Sequence, residues 1–439
     1  MEAPICVIGT GYVGMACTIG FAELGWSVNG YDIAPDRIER LARGICPYRE
    51  HGIESLLAKH LAAGRVHFFP SLRDAVHQSQ IIIVAVGTPA REDGSADVSA
   101  LYAAMHALAD VDFGDRRPTI VVRSTVPPGT SNLLDEIAGS WADLLYAPEF
   151  LREGSAVYDF MNPDRIVVGC TAPDDAVPYV RLLEALERPV VFTSRTNAEL
   201  IKCASNAFLA MKISFANEVA NLCSPLGADA DDVLRAVGYD RRIGSEFLQP
   251  GIGFGGPCFE KDVKSIDFVA STHQTGAQLF AATLRTNEAQ PKRIIALLEA
   301  EIGDLSGRHI GIWGLAFKAG TDDVRDSLAL RIIHELAARG AQTTIYDPAV
   351  HIAPLPSGSR LVPDALVAAS AEALMVLTEW PEFAAIDPFL IASNLETRVV
   401  IDGKNVLDAQ RAAAAGLIYR GVGRVALPSE EEMELARAV

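Results

Sequence analysis

The first 195 residues alternate short apolar segments with longer segments of helical periodicity. The apolar segments predict eight strands, which read ICVIG, SVNGY, VHFF, IIIVAV, TIVVR, DLLYAP, RIVVG and VVFT. Several are apolar at every position, which is typical of parallel strands that helices cover on both faces. Helical periodicity lies between them, for example over residues 35–43 and 98–110. The alternation predicts a doubly wound parallel sheet.

The pattern changes near Thr196, and strand signals fade from there to residue 301. Residues 197–226 predict one long helix rich in Ala, Leu, Ile and Phe, and residues 231–237 predict a second helix. A glycine-rich segment follows, and residues 261–301 again have helical character. The block therefore predicts a helical connector, and we treat it as a candidate dimer interface.

Strand signals return in HIGIWG (309–314), TTIYD (343–347), LMVLT (374–378) and RVVID (398–402). Helices are predicted at residues 327–339 and 408–415, and the acidic tail after residue 428 is expected to be a helix with a frayed end. The sequence thus predicts two Rossmann-like doubly wound α/β domains joined by a long central helix and a helical connector. The predicted domain boundaries are 1–195, 196–303 and 304–439.

Composition limits the classes of function. The chain has 439 residues, 49% of them hydrophobic and 21% charged, which suits a globular protein with large cores. Its net charge of −18 argues against nucleic acid or an anionic membrane as a partner, but leaves a phosphorylated small molecule open. No apolar run approaches the ~20 residues of a membrane span, and the N-terminus enters a strand directly. The seven cysteines lack metal-type spacing, so we expect no metal site and a reducing cytoplasm.

A glycine loop follows the first predicted strand and reads Gly9-Thr10-Gly11-Tyr12-Val13-Gly14. Gly9 allows a tight turn, Gly11 lets the backbone approach a pyrophosphate, and Gly14 allows close packing of helix on strand. Asp32 ends the second strand, where a carboxylate accepts from ribose hydroxyls and repels a 2′-phosphate. The spacing predicts NAD rather than NADP, and the alternative is a structural glycine turn. The later segment GIWGLAFK is only a partial glycine loop.

Cys258 lies in the densest glycine segment, GIGFGGPCFEKD (251–262). It can be a buried inert thiol, a redox thiol without a nearby resolving partner, or a nucleophile. Its three neighbouring glycines permit close approach of a substrate, and Lys261 and Asp262 follow at a predicted helix N-terminus, which stabilises a thiolate. A cofactor that accepts hydride, together with a thiol that can hold an acyl group, indicates an oxidation that continues beyond the aldehyde to the level of a carboxylic acid.

Other polar residues have both a structural and a functional interpretation. Lys202 and Asn206 are four residues apart on the long helix, so they share a face. They are either a snorkelling lysine and a capping amide, which the residues alone favour, or a pair that stabilises an oxyanion.

The polar segments after the strands have the same two interpretations. The segment PEFLREG (148–154) follows a strand and contains two glutamates. They are either a general base and a ligand-binding group, or only negative charges at the start of a helix. Thr88, Ser124 and Thr125 follow other strands, and Thr125 either positions a water or caps a turn.

Seven ordered segments resemble the UDP-glucose/GDP-mannose dehydrogenase family. They are GTGYVG, VGTP (86–89), STVPPG (124–129), PEFLREG, ELIKCASNAFLAMKISFANE (199–218), GFGGPCFEKD and GLAFKAGTDDVRDS (314–327). Residues 240–251, DRRIGSEFLQPG, look like the UDP-glucose branch. The resemblance implies an NAD-dependent four-electron oxidation of a nucleotide sugar. The C6 alcohol becomes an aldehyde, then a thiohemiacetal and a thioester on Cys258, and finally a uronate.

The resemblance also implies residue and domain roles. Cys258 is the expected nucleophile, Lys202 and Asn206 steady the oxyanions, and Glu149, Thr125 and Asp262 handle protons and the hydrolytic water. The expected NAD contacts are Gly9, Gly11, Tyr12, Val13, Gly14, Asp32, Arg37, Thr88, Thr125, Glu153, Lys261 and Arg325. The expected sugar-nucleotide contacts are Phe150, Leu151, Lys202, Asn206, Phe247, Leu248, Gly255 and Lys318, with Arg242 reaching across a homodimer. The resemblance also assigns a role to each predicted domain. Residues 1–195 would bind NAD, residues 196–303 would carry the cysteine loop and form the dimer, and residues 304–439 would bind the nucleotide sugar.

Four positions depart from the family pattern. They are Gln249, Pro257, Glu260 and Lys404, where the family often has Lys, Ser, Pro and Arg. They leave the base and sugar open, so dTDP-glucose or another nucleotide sugar stays an alternative, with GDP-mannose less favoured. A catalytically silent NAD-binding regulator is the non-enzyme alternative. A two-electron hydroxyacid dehydrogenase would leave the cysteine loop and the second α/β domain unexplained.

Overall fold

The computed structural model describes residues 3–425, which fall into two compact units. The first unit contains the chain up to Asn206 together with Lys264–Gly276, and the second contains Ala207–Val263 and the chain from Ala277 onward. The predicted three-domain division is a functional one and stays a prediction. The predicted helix in the tail lies outside the described residues.

Within the described part of the first unit, the strands form an eight-stranded sheet of order β3-β2-β1-β4-β5-β6-β7-β8. They are β1 (Ile5–Ile8), β2 (Val28–Tyr31), β3 (Val66–Phe69), β4 (Ile81–Val84), β5 (Thr119–Val122), β6 (Asp143–Tyr146), β7 (Ile166–Gly169) and β8 (Val190–Thr193). Neighbours pair in parallel except β6 and β7, which are antiparallel. β1, β4 and β5 are buried at every position, which explains their continuous apolar sequences. All eight predicted strands are confirmed.

The first sheet is covered by helices that mostly follow its strands in the chain. They are α1 (Tyr12–Glu23), α2 (Pro35–Ala42), α3 (Ile53–Ala62), α4 (Leu72–Val76), α5 (Ser99–Ala109), α6 (Thr130–Ala138), α7 (Ala156–Met161) and α8 (Val177–Arg181). The long helix α9 (Arg195–Leu226) comes next, and the boundary between the units falls within it. Three further helices complete the connector: α10 (Ala230–Gly238), α11 (Phe259–Thr272) and α12 (Leu279–Ile302).

The second unit, as far as residue 425, contains a six-stranded parallel sheet of order β11-β10-β9-β12-β13-β14. Its strands are β9 (His309–Trp313), β10 (Gln342–Tyr346), β11 (Ser359–Leu361), β12 (Ala373–Val376), β13 (Val399–Asp402) and β14 (Ile418–Gly421). Its helices are α13 (Leu328–Ala338), α14 (Ala365–Ala369), α15 (Pro381–Ala385), α16 (Pro388–Asn394) and α17 (Ala409–Ala414). The edge strands β11 and β14 were not predicted, because SRL and IYRG carry few apolar residues.

Both sheets have the same order, with the first strand central and the chain crossing from one side of it to the other. This order confirms the predicted pair of Rossmann-like doubly wound domains. It also places the carboxyl ends of β1 and β4 at one switch point and those of β9 and β12 at another, and such points are where open α/β sheets bind ligands. No helix between residues 3 and 425 combines the length and the apolarity needed to cross a membrane.

Candidate active site

The glycine loop of the first unit has the geometry of a phosphate-binding turn. Gly9 has a φ of +87°, and a Cβ there would lie 2.6 Å from the Ala85 carbonyl oxygen. A Cβ on Gly14 would lie 1.7 Å from the Gly9 carbonyl oxygen, so glycine is required for α1 to pack on its strand. Around Gly11, in contrast, no atom of residues 3–425 outside its own chain neighbours lies within 4 Å of the Cβ position. This open space faces the N-terminus of α1, whose first turn has no acidic residue, and it fits a pyrophosphate.

Asp32, directly after β2, ties this loop to the adjoining strand. Its carboxylate accepts from the Thr10 amide at 2.8 Å and the Ala34 amide at 3.0 Å, and pairs with Arg37 at 2.8 Å. Burial alone would raise the pKa of Asp32, but these amides and the Arg37 guanidinium hold the pKa below its ordinary value. The neighbouring side chain of Ile33 is 87% exposed, which leaves an apolar surface beside an ionised carboxylate.

The loops after β4 and β5 are joined by hydroxyl groups. The Thr88 hydroxyl donates to the Thr125 carbonyl at 2.6 Å, and the Ser124 hydroxyl donates to the Val86 carbonyl at 2.7 Å. Thr88 and Thr125 therefore lie together, as their positions after neighbouring parallel strands predicted.

A buried ion pair lies at the end of β6. The Lys202 ammonium, from α9, is 2.9 Å from a Glu149 carboxylate oxygen, and both side chains are less than 10% exposed. Glu149 also accepts from the Leu151 amide at 2.6 Å. The Phe150 ring lies under two cations, with its centroid 5.4 Å from the Lys202 ammonium and 4.2 Å from the Arg165 guanidinium. Lys202 is thus a desolvated lysine, and the interpretation as a snorkelling side chain is wrong.

Two buried glutamates that the sequence did not single out hold the loops around this pair. Glu199, on α9, accepts from the Gly129 and Ser131 amides at 2.5 and 2.7 Å, at the start of α6. Glu50 accepts from the Gly154 and Ala156 amides, both at 2.8 Å, at the start of α7. Each carboxylate stabilises a helix N-terminus and fixes the segment before it. Those segments are STVPPG and PEFLREG.

In the second unit, Cys258 is exposed and directly precedes α11, whereas the other six cysteines are buried. The glycines before it are required by the packing of the chain itself. A Cβ on Gly253 would meet Asn287 at 2.4 Å, one on Gly255 the Asp326 carbonyl at 2.8 Å, and one on Gly256 the Phe317 ring at 2.7 Å. The close packing of Asn287, Asp326 and Phe317 against these glycines therefore fixes the loop.

Six further predicted residues of the second unit lie in three groups. Lys261 and Asp262 form an ion pair at 2.6 Å, and Asp262 is buried. The Phe247 ring contacts the Phe259 ring edge to face, with centroids 6.0 Å apart. Leu248, the next residue after Phe247, is buried. The exposed cations pair locally: Arg242 with Asp240 at 2.6 Å, and Arg325 with Asp323 at 2.5 Å.

A cavity of about 380 Å³ lies within the second unit beside this segment. Its lining residues are Asp231, Leu234, Arg235, Ser245, Leu248, Gln249, Pro250, Lys404, Asn405 and Arg424. The Lys404 ammonium lies 3.0 Å from the Glu379 carboxylate. Two of the family departures, Gln249 and Lys404, thus line one cavity. Among residues 3–425, no three His, Cys, Asp or Glu side chains gather as a metal site would require.

A complete dinucleotide loop on one doubly wound sheet, and an exposed cysteine at a helix N-terminus in the second α/β unit, define an NAD-dependent dehydrogenase. Three models of the UDP-glucose/GDP-mannose dehydrogenase family match in order: the NAD binding domain over residues 3–189, the central domain over 196–289 and the UDP binding domain over 311–409. The chain belongs to this family.

Individual relatives extend over nearly the whole chain. A UDP-glucose 6-dehydrogenase of Rhizobium meliloti is 40% identical, covering 96% of this chain and 99% of its own. One of Bacillus subtilis is 39% identical, covering 97% of this chain and 94% of its own. The structure of a UDP-glucose dehydrogenase from Pyrobaculum islandicum superposes with a TM-score of 0.90 at 38% identity, covering 97% of this chain and 98% of that one.

Proposed function

We propose that the chain oxidises the C6 alcohol of UDP-glucose to the carboxylate of UDP-glucuronate. The observation that carries the covalent part of this proposal is Cys258, the exposed thiol among seven described cysteines, at the N-terminus of α11. Since positive partial charge at a helix N-terminus favours a thiolate, this sulfur suits attack on a carbonyl carbon. NAD, when bound, supplies the acceptor for a hydride in each of the two oxidations.

The protein's own groups carry the remaining steps. The Cys258 sulfur adds to the aldehyde carbon and gives a thiohemiacetal, which keeps the carbon bound and lets it lose a second hydride. The resulting thioester is hydrolysed by water, and the uronate leaves the sulfur. Lys202 and Asn206 stabilise the oxyanions that form on the reacting oxygen. Glu149, Asp262 and Thr125 exchange the protons and orient the water.

The buried pair of Glu149 and Lys202 supports these roles. A lysine that is 5% exposed keeps its charge in a site of low dielectric only if a counter-charge lies nearby, and Glu149 supplies it at 2.9 Å. A substrate oxygen that develops negative charge would take over part of that role, and the carboxylate would then become free to accept a proton.

The NAD contacts follow from the loop geometry of the first unit. The open side of Gly11 and the N-terminus of α1, with Tyr12 and Val13, would hold the pyrophosphate, and Asp32 with Arg37 would hold the adenosine ribose. Exposed Ile33 offers an apolar surface to the adenine. The other proposed cofactor contacts are Gly9, Gly14, Thr88, Thr125, Glu153, Lys261 and Arg325.

For the substrate, we propose that the nucleotide occupies the cavity beside Leu248. Its three cations, Arg235, Lys404 and Arg424, would supply the positive charge that a diphosphate needs in an acidic protein. The other proposed contacts are Phe150, Leu151, Lys202, Asn206, Phe247, Gly255, Lys318 and, from the second protomer, Arg242. Uracil and thymine differ by one methyl group, so dTDP-glucose is the nearest alternative substrate.

The test of the proposed function is a substrate panel with product mass. Comparing kcat/KM for UDP-, dTDP- and GDP-linked hexoses should favour UDP-glucose, with about two NADH formed per substrate and a uronate product. The variant Cys258→Ser should form no uronate at an appreciable rate. Full turnover of that variant to uronate would remove the covalent scheme. Absence of NADH with every sugar nucleotide would favour a catalytically silent regulator.

We also propose that the protein forms a homodimer through α9. Phe208, Phe215 and Leu222 recur every seven residues on this helix and are 57%, 48% and 60% exposed. A seven-residue repeat of apolar side chains is the seam along which helices of two chains pack. Phe215→Glu should convert a species of twice the chain mass to a monomer in light scattering. Ile352→Glu, at a 90% exposed apolar position in the same unit, should leave the mass unchanged. A monomeric wild type would refute the proposal.

A further inference from the structure

The loop that leads to Cys258 is largely buried yet has no regular secondary structure. Residues 251–257 contain no helix and no strand, and Gly251, Ile252 and Phe254 are buried. Backbone N–H and C=O groups that leave water must find partners, and this loop cannot obtain them from a helix or sheet. The partners must therefore come from side chains or from the backbone of other loops.

Three buried amide side chains provide those partners, and we call Asn217, Asn287 and Gln290 the amide clamp. The Gly251 N–H donates to Asn217 Oδ1 at 2.7 Å, and Gln290 Nε2 donates to the Gly251 carbonyl at 2.9 Å. Asn287 both accepts from the Phe254 N–H at 2.8 Å and donates to the Phe254 carbonyl at 2.9 Å. All three are at most 3% exposed. Both backbone groups of two loop residues are thereby held by the helices α9 and α12.

Further contacts hold the amide clamp and restrict the conformation of the loop. Asn221, also on α9, donates through Nδ2 to Gln290 Oε1 at 3.0 Å and so fixes which end of that amide faces Gly251. Gly253, between the two clamped residues, has a φ of +110°, and a Cβ there would overlap Asn287. The Gly256 N–H donates to the Asp326 carbonyl at 3.3 Å.

Packing carries this fixed geometry on to the thiol. The Phe254 ring meets the Phe259 ring edge to face, with centroids 6.1 Å apart. Phe259 is the first residue of α11 and follows Cys258 directly. The Phe254 backbone, held by Asn287, is therefore linked by this ring contact to the first residue of α11, next to the sulfur.

We propose that the amide clamp is the device that positions the Cys258 thiol, with Asn287 as its principal positioning residue. The proposal rests on the proposed function of Cys258 as the nucleophile. The Asn287 carboxamide donates through Nδ2 and accepts through Oδ1, so a carboxylate of the same shape at position 287 would place an oxygen against the Phe254 carbonyl oxygen in place of the donor. A thiol displaced by an ångström loses the alignment that makes covalent capture fast.

The test compares Asn287→Asp with Thr286→Val. Thr286 precedes Asn287 on α12, and its hydroxyl bonds to Glu218 rather than to the loop. We expect Asn287→Asp to lower kcat at least about tenfold and to leave the KM for NAD unchanged. We expect NADH per sugar consumed to fall below about two, because uncaptured aldehyde escapes and can be trapped with semicarbazide. Alkylation of Cys258 by iodoacetamide should slow, because the thiolate loses the helix N-terminus.

The outcomes separate the positioning role from a merely structural one. A folded Asn287→Asp protein with wild-type NADH yield and alkylation rate overturns the proposal, as does an equal loss in Thr286→Val. If Asn287→Asp does not fold, Gln290→Glu removes the donor at Gly251 and should give the same fall in NADH yield. If Cys258→Ser forms uronate at the full rate, the covalent function fails, and the alkylation rate still tests the clamp.

Discussion

At the scale of single residues, the buried ion pair of Glu149 and Lys202 has a large effect on stability if one partner is lost. A buried ion pair gains little over an apolar pair, but loss of one partner leaves a charge in a medium of low dielectric, which costs about 3–5 kcal/mol. The pair is thus sensitive to single substitutions in a way that surface pairs are not.

The first prediction concerns this pair. Glu149→Gln should lower the free energy of unfolding by about 3 kcal/mol and abolish turnover, because the Lys202 ammonium loses the carboxylate 2.9 Å away. Adding Lys202→Met should restore most of the stability and none of the activity. Urea unfolding and steady-state NADH formation measure the two effects. Asp232→Asn, at the exposed pair with Arg235, should change the free energy of unfolding by less than about 1 kcal/mol. A single variant as stable as the wild type would contradict the expectation.

A second prediction at this scale concerns acid stability. The folded pKa of Asp32 lies below its unfolded value, so its contribution to stability is complete above the unfolded pKa and is lost as pH falls through the folded pKa. The stability difference between wild type and Asp32→Asn should therefore shrink steadily from pH 5 toward pH 3. A difference that is constant over this range would argue against an ionised Asp32.

The limits of the sequence are clear at particular residues. Lys202 and Asn206 could be placed on one helix face from their spacing, but the residues alone favoured a solvated lysine. Its burial depends on Glu149, which comes from a distant strand. Glu50 and Glu199 escaped notice for the same reason, since the amides they accept from are distant in sequence. Contacts of this kind follow from the fold and not from local pattern.

At the scale of elements, strands were easier to predict than helix ends. Fully apolar strands such as β4 can be predicted from the sequence pattern. Strand β11 could not be predicted, because it has three residues and only one of them is apolar. The starts of α6 and α7 were harder to place, because their N-terminal amides are satisfied by remote glutamates rather than by a local capping residue. These two helix starts are also where the loops of the proposed site are fixed.

The third prediction tests one of these remote caps. Glu50→Ala should increase the exchange rate of the Gly154 and Ala156 amides about tenfold, because each loses its acceptor and a lost cap costs about 1 kcal/mol. Ser71→Ala removes the local cap of α4 in the same unit and should leave those two amides unchanged. Hydrogen exchange read by mass spectrometry measures both. Equal protection of Gly154 in Glu50→Ala and wild type would exclude the carboxylate as its cap.

At the scale of the whole molecule, one sheet order is used twice with different results. In each sheet, an aspartate after the second strand accepts from amides of the loop after the first strand: Asp32 from Thr10, and Asp347 from Leu315 and Ala316. Asp347 also accepts from the Ala349 and Val350 amides. The loop and carboxylate are therefore a shared structural device, and only its first copy is arranged to bind a dinucleotide.

Two features exclude the second copy from that role. Ala316, two residues after Gly314, stands where Gly11 stands in the first loop and is buried. No helix begins there, because α13 starts only at Leu328, and the Ser327 hydroxyl caps it. The last prediction is thus that NAD binds with a stoichiometry of one per chain in calorimetry. Exchange protection should appear at residues 9–14 and 32–37, where NAD is proposed to bind, and not at the Leu315 and Ala316 amides of the second loop. Two equivalents of NAD, or protection of those two amides by NAD alone, would mean that the second sheet binds a dinucleotide despite its closed loop.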